Sequence, residues 1–148
     1  MDGWVKSGNT TRFYRNGKSV VGWKRTNGNW YYFSKESGSR GNMVTGWLFD
    51  VNQWYYLDEN GVMQTGWKKI GDKWYYLKEN GAMKIGWFWD PDYNAWYYLN
   101  ENGAMHTGWL WDPNYNAWYY LSAPSGEMLR NAMTPDGYLV DSEGQWVK

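Results

Sequence analysis

A Gly-Trp pair recurs through this chain of 148 residues, and it constrains the fold more than any other feature of the sequence. The pairs lie 19 to 24 residues apart and end at Trp4, Trp23, Trp47, Trp67, Trp87 and Trp109. Each of the last five pairs is followed by a Trp-Tyr-Tyr triplet, and the triplets begin at Trp30, Trp54, Trp74, Trp96 and Trp118. A period of this length indicates a protein built from stacked repeats.

Each copy of the repeat has the pattern of a β-hairpin. The segments GWKRT and NWYYF flank Asn27-Gly28, and GWKKI and KWYYL flank Gly71-Asp72. These dipeptides favour two-residue turns because Gly and Asn tolerate positive φ. Two copies carry a loop two residues longer, in which Pro91 or Pro113 restricts the backbone. Because one hairpin is too small to bury its own faces, we expect an all-β, elongated β-solenoid of stacked β-hairpins with no helix of consequence.

We interpret residues 1–148 as a single module of repeats with atypical ends, as is usual for stacked arrays. The degenerate first copy, 3–21, has Arg12-Phe13-Tyr14 where Trp-Tyr-Tyr belongs, and in the degenerate cap, 131–148, Ala132-Met133 aligns with Gly-Trp and Gly137-Tyr138-Leu139 with Trp-Tyr-Tyr. The complete copies are predicted at 22–45, 46–65, 66–85, 86–107 and 108–130.

Composition narrows the classes of function. With 15 basic and 15 acidic residues the chain lacks the positive charge that nucleic-acid binding favours, so no nucleic-acid partner is expected. Cysteine is absent, which excludes disulfides and thiolate metal sites. No apolar run approaches 18 residues, so no membrane span is expected. Because Asp2-Gly3-Trp4 follows Met1 in place of a secretory signal, we expect either a cytoplasmic protein or a module of a longer chain.

The sequence offers little support for catalysis. His106 is the only histidine, and without Cys or a second His neither a His-based nucleophile system nor a zinc site is supported. Acidic residues such as Asp58, Glu59 and Asp141 lie in expected turns, where solvated charge is ordinary. Repeated turns do not provide the unique carboxylate pair of a glycosidase. We therefore expect a non-enzymatic protein with no catalytic residue, no metal and no cofactor.

The Trp residues of each copy are candidates for a binding site. Side chains alternate along a strand, so Trp74 and Tyr76 should share one face while Tyr75 points to the other. We expect Trp67 and Trp74 to lie opposite each other across the hairpin and Tyr97 of the next hairpin to close a third wall. Three rings without an obligatory carboxylate describe an aromatic cage for a quaternary ammonium ion, which donates no conventional hydrogen bond.

Other side chains are expected to form the core. The second Tyr of each triplet and the Leu after it should be buried, and these tyrosines are Tyr56, Tyr76, Tyr98 and Tyr120. Two alternatives stay open for the methionines, packing against neighbouring rings or lining the floor of a cage, and they apply to Met43, Met63, Met83, Met105 and Met128. The Trp side chains fit a core less well, because a buried indole needs a partner for its N–H.

The tandem Gly-Trp, Trp-Tyr-Tyr and Gly-x-Met motifs resemble the choline-binding, or cell-wall-binding, repeats of pneumococcal-type surface proteins, autolysins and phage lysins. The resemblance covers residues 22–130 well and both ends loosely. It implies a left-handed β-solenoid that holds choline between consecutive hairpins, with two aromatic residues from one repeat and a third from the next. The implied choline-binding residues are Trp23, Trp30 and Tyr55; Trp47, Trp54 and Tyr75; Trp67, Trp74 and Tyr97; Trp87, Trp96 and Tyr119; Trp109, Trp118 and Tyr138; and Met63, Met83 and Met105.

Several features depart from that pattern. The first copy lacks its second Trp, so no cage is expected at Trp4. Four extra residues within SKESGSRG, between Tyr32 and Gly41, are expected to displace the first full cage. The longer loops carry extra rings that are expected to extend or distort the fourth and fifth cages, and these rings are Trp89, Tyr93, Trp111 and Tyr115.

The resemblance also implies a function, a ligand and a location. The ligand is choline or phosphocholine, the partner is choline-decorated teichoic or lipoteichoic acid, and the module attaches a protein to the outside of the bacterial cell wall. A phage lysin origin, an accompanying hydrolase or adhesin domain, and a homodimer through a terminal repeat stay open. Two other functions stay open as well, a glucan- or carbohydrate-binding repeat module and a structural spacer whose rings are only its core.

Overall fold

The computed structural model describes residues 2–148, and every regular element within that range is a β-strand. The predicted all-β class is therefore confirmed for the described residues. The strands are β1 (Gly3–Ser7), β2 (Thr10–Arg15), β3 (Lys18–Ser19), β4 (Gly22–Thr26), β5 (Asn29–Phe33), β6 (Gly46–Asp50), β7 (Gln53–Leu57), β8 (Gly66–Ile70), β9 (Lys73–Leu77), β10 (Gly86–Asp90), β11 (Ala95–Leu99), β12 (Gly108–Asp112), β13 (Ala117–Leu121), β14 (Ala132–Met133) and β15 (Leu139–Val140).

The strands pair with their neighbours in the chain as hairpins. The hairpins β4–β5, β6–β7, β8–β9, β10–β11 and β12–β13 each start with a Gly-Trp pair and return through a Trp-Tyr-Tyr triplet. β1, β2 and β3 form a three-stranded sheet, and β14 and β15 form a short pair. The repeat of the sequence is therefore a repeat of hairpins.

Turn residues set the conformation of the hairpin tips. Asn27 and Gly28 have φ values of 54° and 82°, and positive φ at both central residues is the signature of a type I′ turn. Val51 and Asn52 make the corresponding turn between β6 and β7 with φ values of 45° and 64°. Positive φ is unfavourable for a β-branched residue, so the Val51 turn is strained.

The longer loops of β10–β11 and β12–β13 add residues without shifting the strands. Asp90 pairs with Ala95 across the loop, whereas Thr26 pairs with Asn29 across a two-residue turn. The additional residues are confined to the hairpin tip, as predicted, and the aromatic positions keep one register in both kinds of hairpin.

That register corrects the expected placement of the two Trp residues of a hairpin. Trp23 lies opposite Tyr32, and Trp30 lies opposite Arg25. The hairpins β6–β7, β10–β11 and β12–β13 have the same arrangement. The expectation that the two Trp lie directly opposite each other was wrong. The residues beside the turn pair with each other, and counting outward from them places the first Trp opposite the second Tyr. The two Trp are diagonal neighbours on one face.

One residue of each complete repeat is fully buried, as predicted for the position after the second Tyr. These residues are Phe33, Leu57, Leu77, Leu99 and Leu121. Each forms a β-bridge with the Met of the connecting segment, for example Leu57 with Met63. The second Tyr of each complete repeat packs against the first Trp of its hairpin. Tyr32 is buried, as predicted for this position. The others are only half-buried, which is less than predicted, and they are Tyr56, Tyr76, Tyr98 and Tyr120.

The chain divides into two compact units by its internal contacts. The first unit runs to Gly66 and includes Leu77–Met83, and the second comprises Trp67–Tyr76 and Lys84–Lys148. Within each unit, a connecting segment binds the hairpin one repeat earlier. The Met63 amide donates to the Trp30 carbonyl in the first unit, and the Met105 amide donates to the Trp74 carbonyl in the second.

Methionine side chains also stack the connecting segments. The Met63 thioether lies where a Cβ on Gly81 would collide with it, and Gly81 has a φ of +88°. Met43 has the same relation to Gly61. The Gly of the Gly-x-Met motif is therefore required twice, by its backbone conformation and by the methionine of the preceding segment.

The terminal copies differ in how well their alignment was predicted. Trp4 lies opposite Phe13, so Thr11 takes the position of the second Trp, one residue earlier than aligned. The Met43 amide donates to the Thr11 carbonyl, which is the bond that Met63 makes to Trp30. At the other end Met133 lies opposite Leu139, which agrees with the predicted alignment.

Candidate functional site

Three cavities in the second unit are lined by Trp and Tyr rings singled out in the sequence. Their volumes are about 490, 410 and 410 Å³. Each brings together the two Trp of one hairpin and a Tyr of the next. We name them the Trp67 cage (Trp67, Trp74 and Tyr97), the Trp87 cage (Trp87, Trp96 and Tyr119) and the Trp109 cage (Trp109, Trp118 and Tyr138).

The cage rings meet at steep angles, so that their faces converge on a corner. The rings of Trp87 and Tyr119 have centroids 5.0 Å apart and planes at 70°, and Trp96 stands 6.3 Å from Trp87 at 88°. In the Trp67 cage the Trp67–Tyr97 distance is also 5.0 Å, at 64°. The second Trp of each cage is about two-fifths exposed, for example 40% at Trp74. Each cage is thus a half-open aromatic corner with room for a small guest.

The first unit contains the same arrangement at Trp23, Trp30 and Tyr55, which we name the Trp23 cage. Trp23 stands 6.5 Å from Trp30 at 83° and 5.0 Å from Tyr55 at 66°. These values match the Trp87 cage, so the expectation that the SKESGSRG insertion displaces this site was wrong. The insertion forms a loop in which Ser34 bonds to Asn42 and Gly41, and the Phe33–Met43 bridge of the repeat is kept.

Two walls of the remaining predicted cage lie within the first unit. Trp47 and Trp54 form the usual diagonal pair, 6.5 Å apart at 86°. Tyr75, its predicted third wall, belongs to the other unit. This cage therefore stays a prediction. Trp4 packs edge-on against Tyr31 and Phe13, and Thr11 replaces its second Trp, which agrees with the expected lack of a cage there.

Aspartates accept the indole N–H of the first Trp in the Trp23, Trp67, Trp87 and Trp109 cages. The Trp67 Nε1–H donates to Asp90 at 2.8 Å, and the Trp87 Nε1–H donates to Asp112 at 2.7 Å. Trp23 donates to Asp50 at 2.9 Å, and Trp109 donates to Asp136 at 3.0 Å. The acceptor always comes from the hairpin, or the terminal pair, that follows. The need of an indole for such a partner was predicted from the sequence, but these residues were not identified. Three of them, Asp50, Asp90 and Asp112, end the first strand of the hairpin that follows.

Each longer loop adds a Tyr ring to the cage that precedes its own hairpin. Tyr93 lines the Trp67 cage and Tyr115 lines the Trp87 cage. The extra rings were expected to extend or distort the fourth and fifth cages, Trp87 and Trp109. Tyr115 extends the fourth as expected, whereas Tyr93 lines the third. Trp89 and Trp111 pack against Trp96 and Trp118, the second Trp of the fourth and fifth cages, each at 5.5 Å.

The methionines combine the two roles left open by the sequence. Met105 lines the Trp67 cage and Met128 lines the Trp87 cage, and Met105 and Met128 also press against Gly126 and Gly144. In the Trp109 cage Trp146 lies where a Met lines the other two cages. Its amide donates to the Trp118 carbonyl, just as the Met128 amide donates to the Trp96 carbonyl. Sequence reasoning missed Trp146, whose copy carries no Gly-x-Met motif. Met63 and Met83 make the corresponding amide bonds to Trp30 and Trp54 in the first unit.

The pKa values of two cage tyrosines are raised, mainly by burial. Burial raises the pKa of Tyr97 to about 12, with Glu127, Asp90 and Tyr93 adding to the shift. Burial likewise raises the pKa of Tyr119, while the hydrogen bond from Gln145 lowers it. Hydrogen bonds from Thr134 and Trp109 lower the pKa of the exposed Asp136 carboxyl. At neutral pH Tyr97 and Tyr119 therefore present uncharged rings.

Charged side chains lie at the margins of the cages. Lys69 and Glu127 line the Trp67 cavity, and Arg130 and Glu143 line the Trp87 cavity. The Trp109 cavity has Asp136 and otherwise only rings. Each of the three cavities is lined by four aromatic rings, which suits a guest held by ring faces.

Hydrogen bonds account for both ring nitrogens of the single histidine. His106 is held between the Asn100 side chain and the Trp109 carbonyl, 3.1 and 2.8 Å away. Within residues 2–148 no group of three or more His, Cys, Asp or Glu is arranged to hold a metal ion. The same residues contain no helix that is long and apolar enough to span a membrane.

Comparisons with known proteins identify the repeat. Residues 20–65, 64–105 and 89–132 match the choline-binding repeat family. Choline binding protein F from Streptococcus pneumoniae is 43% identical, with a TM-score of 0.87 over all of this chain and 47% of that one. CbpJ from the same organism is 42% identical, with a TM-score of 0.88 over 99% of this chain and 48% of the other. This chain thus spans about half the length of these relatives.

The likeness extends to a lysin. The modular Cpl-1 endolysin is 36% identical, with a TM-score of 0.57 over 93% of this chain and 40% of that one. The comparison with curated protein sequences found no match. These comparisons give no support to a homodimer. Proteins with such repeats are associated with the bacterial cell wall and surface. From the family match and the shared stack of hairpins, this chain belongs to the choline-binding repeat family.

Proposed function

We propose that this chain is a non-catalytic attachment module that binds the choline, or phosphocholine, of teichoic and lipoteichoic acids at the bacterial cell wall. The observation that carries the proposal is the recurrence of one three-ring corner at Trp23, Trp67, Trp87 and Trp109. A quaternary ammonium ion is attracted to ring faces, each worth on the order of 0.5–2 kcal/mol, and needs no acceptor. The cages supply those faces.

Repetition of weak sites suits a polymeric ligand. One cage binds one ammonium ion weakly, but a polymer that carries many choline groups engages several cages of the same chain. Each further contact is then intramolecular, which multiplies the overall affinity without any new kind of contact. Four cages with similar ring spacing fit this role better than a single deep pocket would.

A titration followed by intrinsic Trp fluorescence tests the proposal, because Trp residues form most of each cage. We expect a saturable change with choline at millimolar or lower concentration and little change with ethanolamine, which has no methyl groups for the rings to hold. A response to glucose oligomers with a flat choline curve would favour a carbohydrate-binding module. No response to any ligand would indicate a structural spacer.

Structures of two relatives suggest one further control. Choline binding protein F and the Cpl-1 endolysin have been solved with a peptidoglycan analogue, a tetrasaccharide-pentapeptide. Titration of such an analogue in saturating choline separates the two ligand classes. If choline cages are the attachment site, the choline response is unchanged by the analogue.

A further inference from the structure

We propose that Asp50, Asp90 and Asp112 determine the specificity of the cages, favouring a cationic guest over an uncharged guest of the same shape. This inference rests on the proposed choline-binding function. Each Asp accepts the indole N–H of the first Trp in the preceding hairpin. Neither Asp90 nor Asp112 lines the cavity of its cage, so these carboxylates act through the Trp ring.

The hairpin geometry places each carboxylate behind a cage wall. Phe88 and Tyr97 are cross-strand partners, and Asp90 is two residues from Phe88, so the three share one face of β10–β11. That face covers the Trp67 ring, which is 5.0 Å from Tyr97 and 6.0 Å from Phe88. Asp90 therefore approaches the edge of the indole while Tyr97 closes the cage beside it.

Burial gives these carboxylates more influence than a surface charge has. Asp90 and Asp112 are only 4% and 5% exposed. Each also accepts an amide of its own loop, from Asp92 and Asn114 respectively, at 2.9 Å. The named donors, an indole and a main-chain amide, are neutral groups that hold the carboxylate without cancelling its charge. In a buried setting such a charge is weakly screened.

The hairpin does not require an acid at this position. Thr26 and Ile70 occupy it at the ends of β4 and β8, and both strands form the same kind of hairpin. A neutral acceptor would also satisfy an indole N–H. The carboxylate therefore adds a negative charge beside an aromatic wall, and neither the turn nor the hydrogen bond requires that charge.

The charge reaches the cage rings. Burial is the main cause of the raised pKa of Tyr97, and Asp90 contributes after Glu127. Asp112 contributes in the same direction to the raised pKa of the cage ring Tyr119. Asp50 does so for Tyr32, which is not a cage wall but packs against Trp23. A field that disfavours a phenolate in the cage favours a cation there. Donation to a carboxylate also makes the indole more electron-rich, which strengthens its attraction for a cation.

Asp50→Asn is the main test, since an amide oxygen can keep the bond from Trp23 while the charge is removed. The assigned indole N–H resonance of Trp23 reports binding to its own cage by NMR. Two guests are titrated, choline and its uncharged isostere 3,3-dimethylbutan-1-ol. We expect the choline Kd of the Trp23 cage to rise roughly three- to tenfold and the isostere Kd to stay unchanged. The Trp67 cage of the same molecule, with Asp90 intact, is the internal control.

The outcomes are distinguishable. Equal loss of both guests would assign Asp50 a structural role and overturn the inference, and so would no change for either guest. Absence of choline-dependent shifts in the unmodified chain would overturn the proposed function and this inference with it. Asp112→Asn is the second variant, read at Trp87. Because Asp112 also caps its loop, retained isostere binding shows that its cage still forms.

Discussion

At the scale of single residues, the two Trp of a cage have different roles in binding and in folding. Trp87 packs against Tyr98 and Tyr119 and donates to Asp112, so it belongs to the stack as well as to the cage. Trp96 is on the open side of the same corner, 38% exposed. The first Trp is therefore a structural residue whose face is also a wall, and the second Trp is mainly a wall.

This division predicts different effects of two substitutions in one cage. Trp96→Ala should abolish choline binding at the Trp87 cage with a small change in melting temperature. Trp87→Ala should also abolish it and cost about 3–5 kcal/mol of stability, as for other large-to-small changes of packed rings. Cage-resolved NMR titrations and thermal melts provide the readouts. Similar melting temperatures of the two variants would contradict the assignment.

The added ring of each longer loop gives a second prediction at the residue scale. Tyr93 is 63% exposed and its ring is 6.4 Å from Tyr97. Tyr93→Ala should weaken choline binding at the Trp67 cage by roughly two- to fivefold, the loss of one exposed ring contact. Tyr115→Ala is the matched control, because it should weaken the Trp87 cage instead. If Tyr93→Ala instead weakened choline binding at the Trp87 cage, to which its own hairpin supplies both Trp, the result would contradict the structure.

At the scale of elements, turn chemistry decides how well each hairpin suits its sequence. Asn-Gly makes the turn of β4–β5 without strain, whereas Val51 adopts positive φ at the tip of β6–β7 while 84% exposed. No packing contact of a buried side chain can compensate for that strain. The Val51 turn is therefore a local weak point of the first unit.

Val51→Asn is expected to stabilise the chain by about 1 kcal/mol, because Asn tolerates the left-handed region that Val resists. Thermal or chemical denaturation of the first unit measures the change. Val51→Ala is the control for loss of β-branching alone, and it should give a smaller gain. A destabilised Asn variant would show that Val51 makes contacts that outweigh its strain.

The element scale also shows what the sequence could predict. Period, turn dipeptides and strand alternation were enough to predict the hairpins, the buried Leu series and the Tyr that faces the preceding Trp. They were not enough for the diagonal placement of the two Trp, which depends on counting outward from the turn. Partners that are distant in sequence, such as Asp112 for Trp87 and Trp146 for Trp118, depend on the stack, because they lie in different hairpins and no pattern within one hairpin pairs them.

At the scale of the whole molecule, binding and stacking use the same groups. A cage is complete only when two consecutive hairpins are in contact. In the Trp67 cage, for example, Trp67 and Trp74 come from one hairpin and Tyr97 comes from the next. A ligand that binds the folded state and not the unfolded chain stabilises the fold by mass action. Choline should therefore act as a stabiliser of this chain as well as its ligand.

Thermal melts in choline test this linkage. At a concentration of ten times Kd, each occupied cage should add roughly 1.4 kcal/mol, which raises the melting temperature by several degrees. Ethanolamine at the same concentration and ionic strength is the control and should have little effect. A melting temperature that does not move in excess choline would contradict the linkage between cages and stack.

A crystal structure of this chain grown in choline is the most direct measurement of the central claim. We predict a trimethylammonium group in the Trp67 cage, within van der Waals contact of Trp67, Trp74 and Tyr97, and equivalent density in the Trp87 and Trp109 cages. Well-ordered cages that hold only water at saturating choline, or that are closed by neighbouring side chains, would contradict the account.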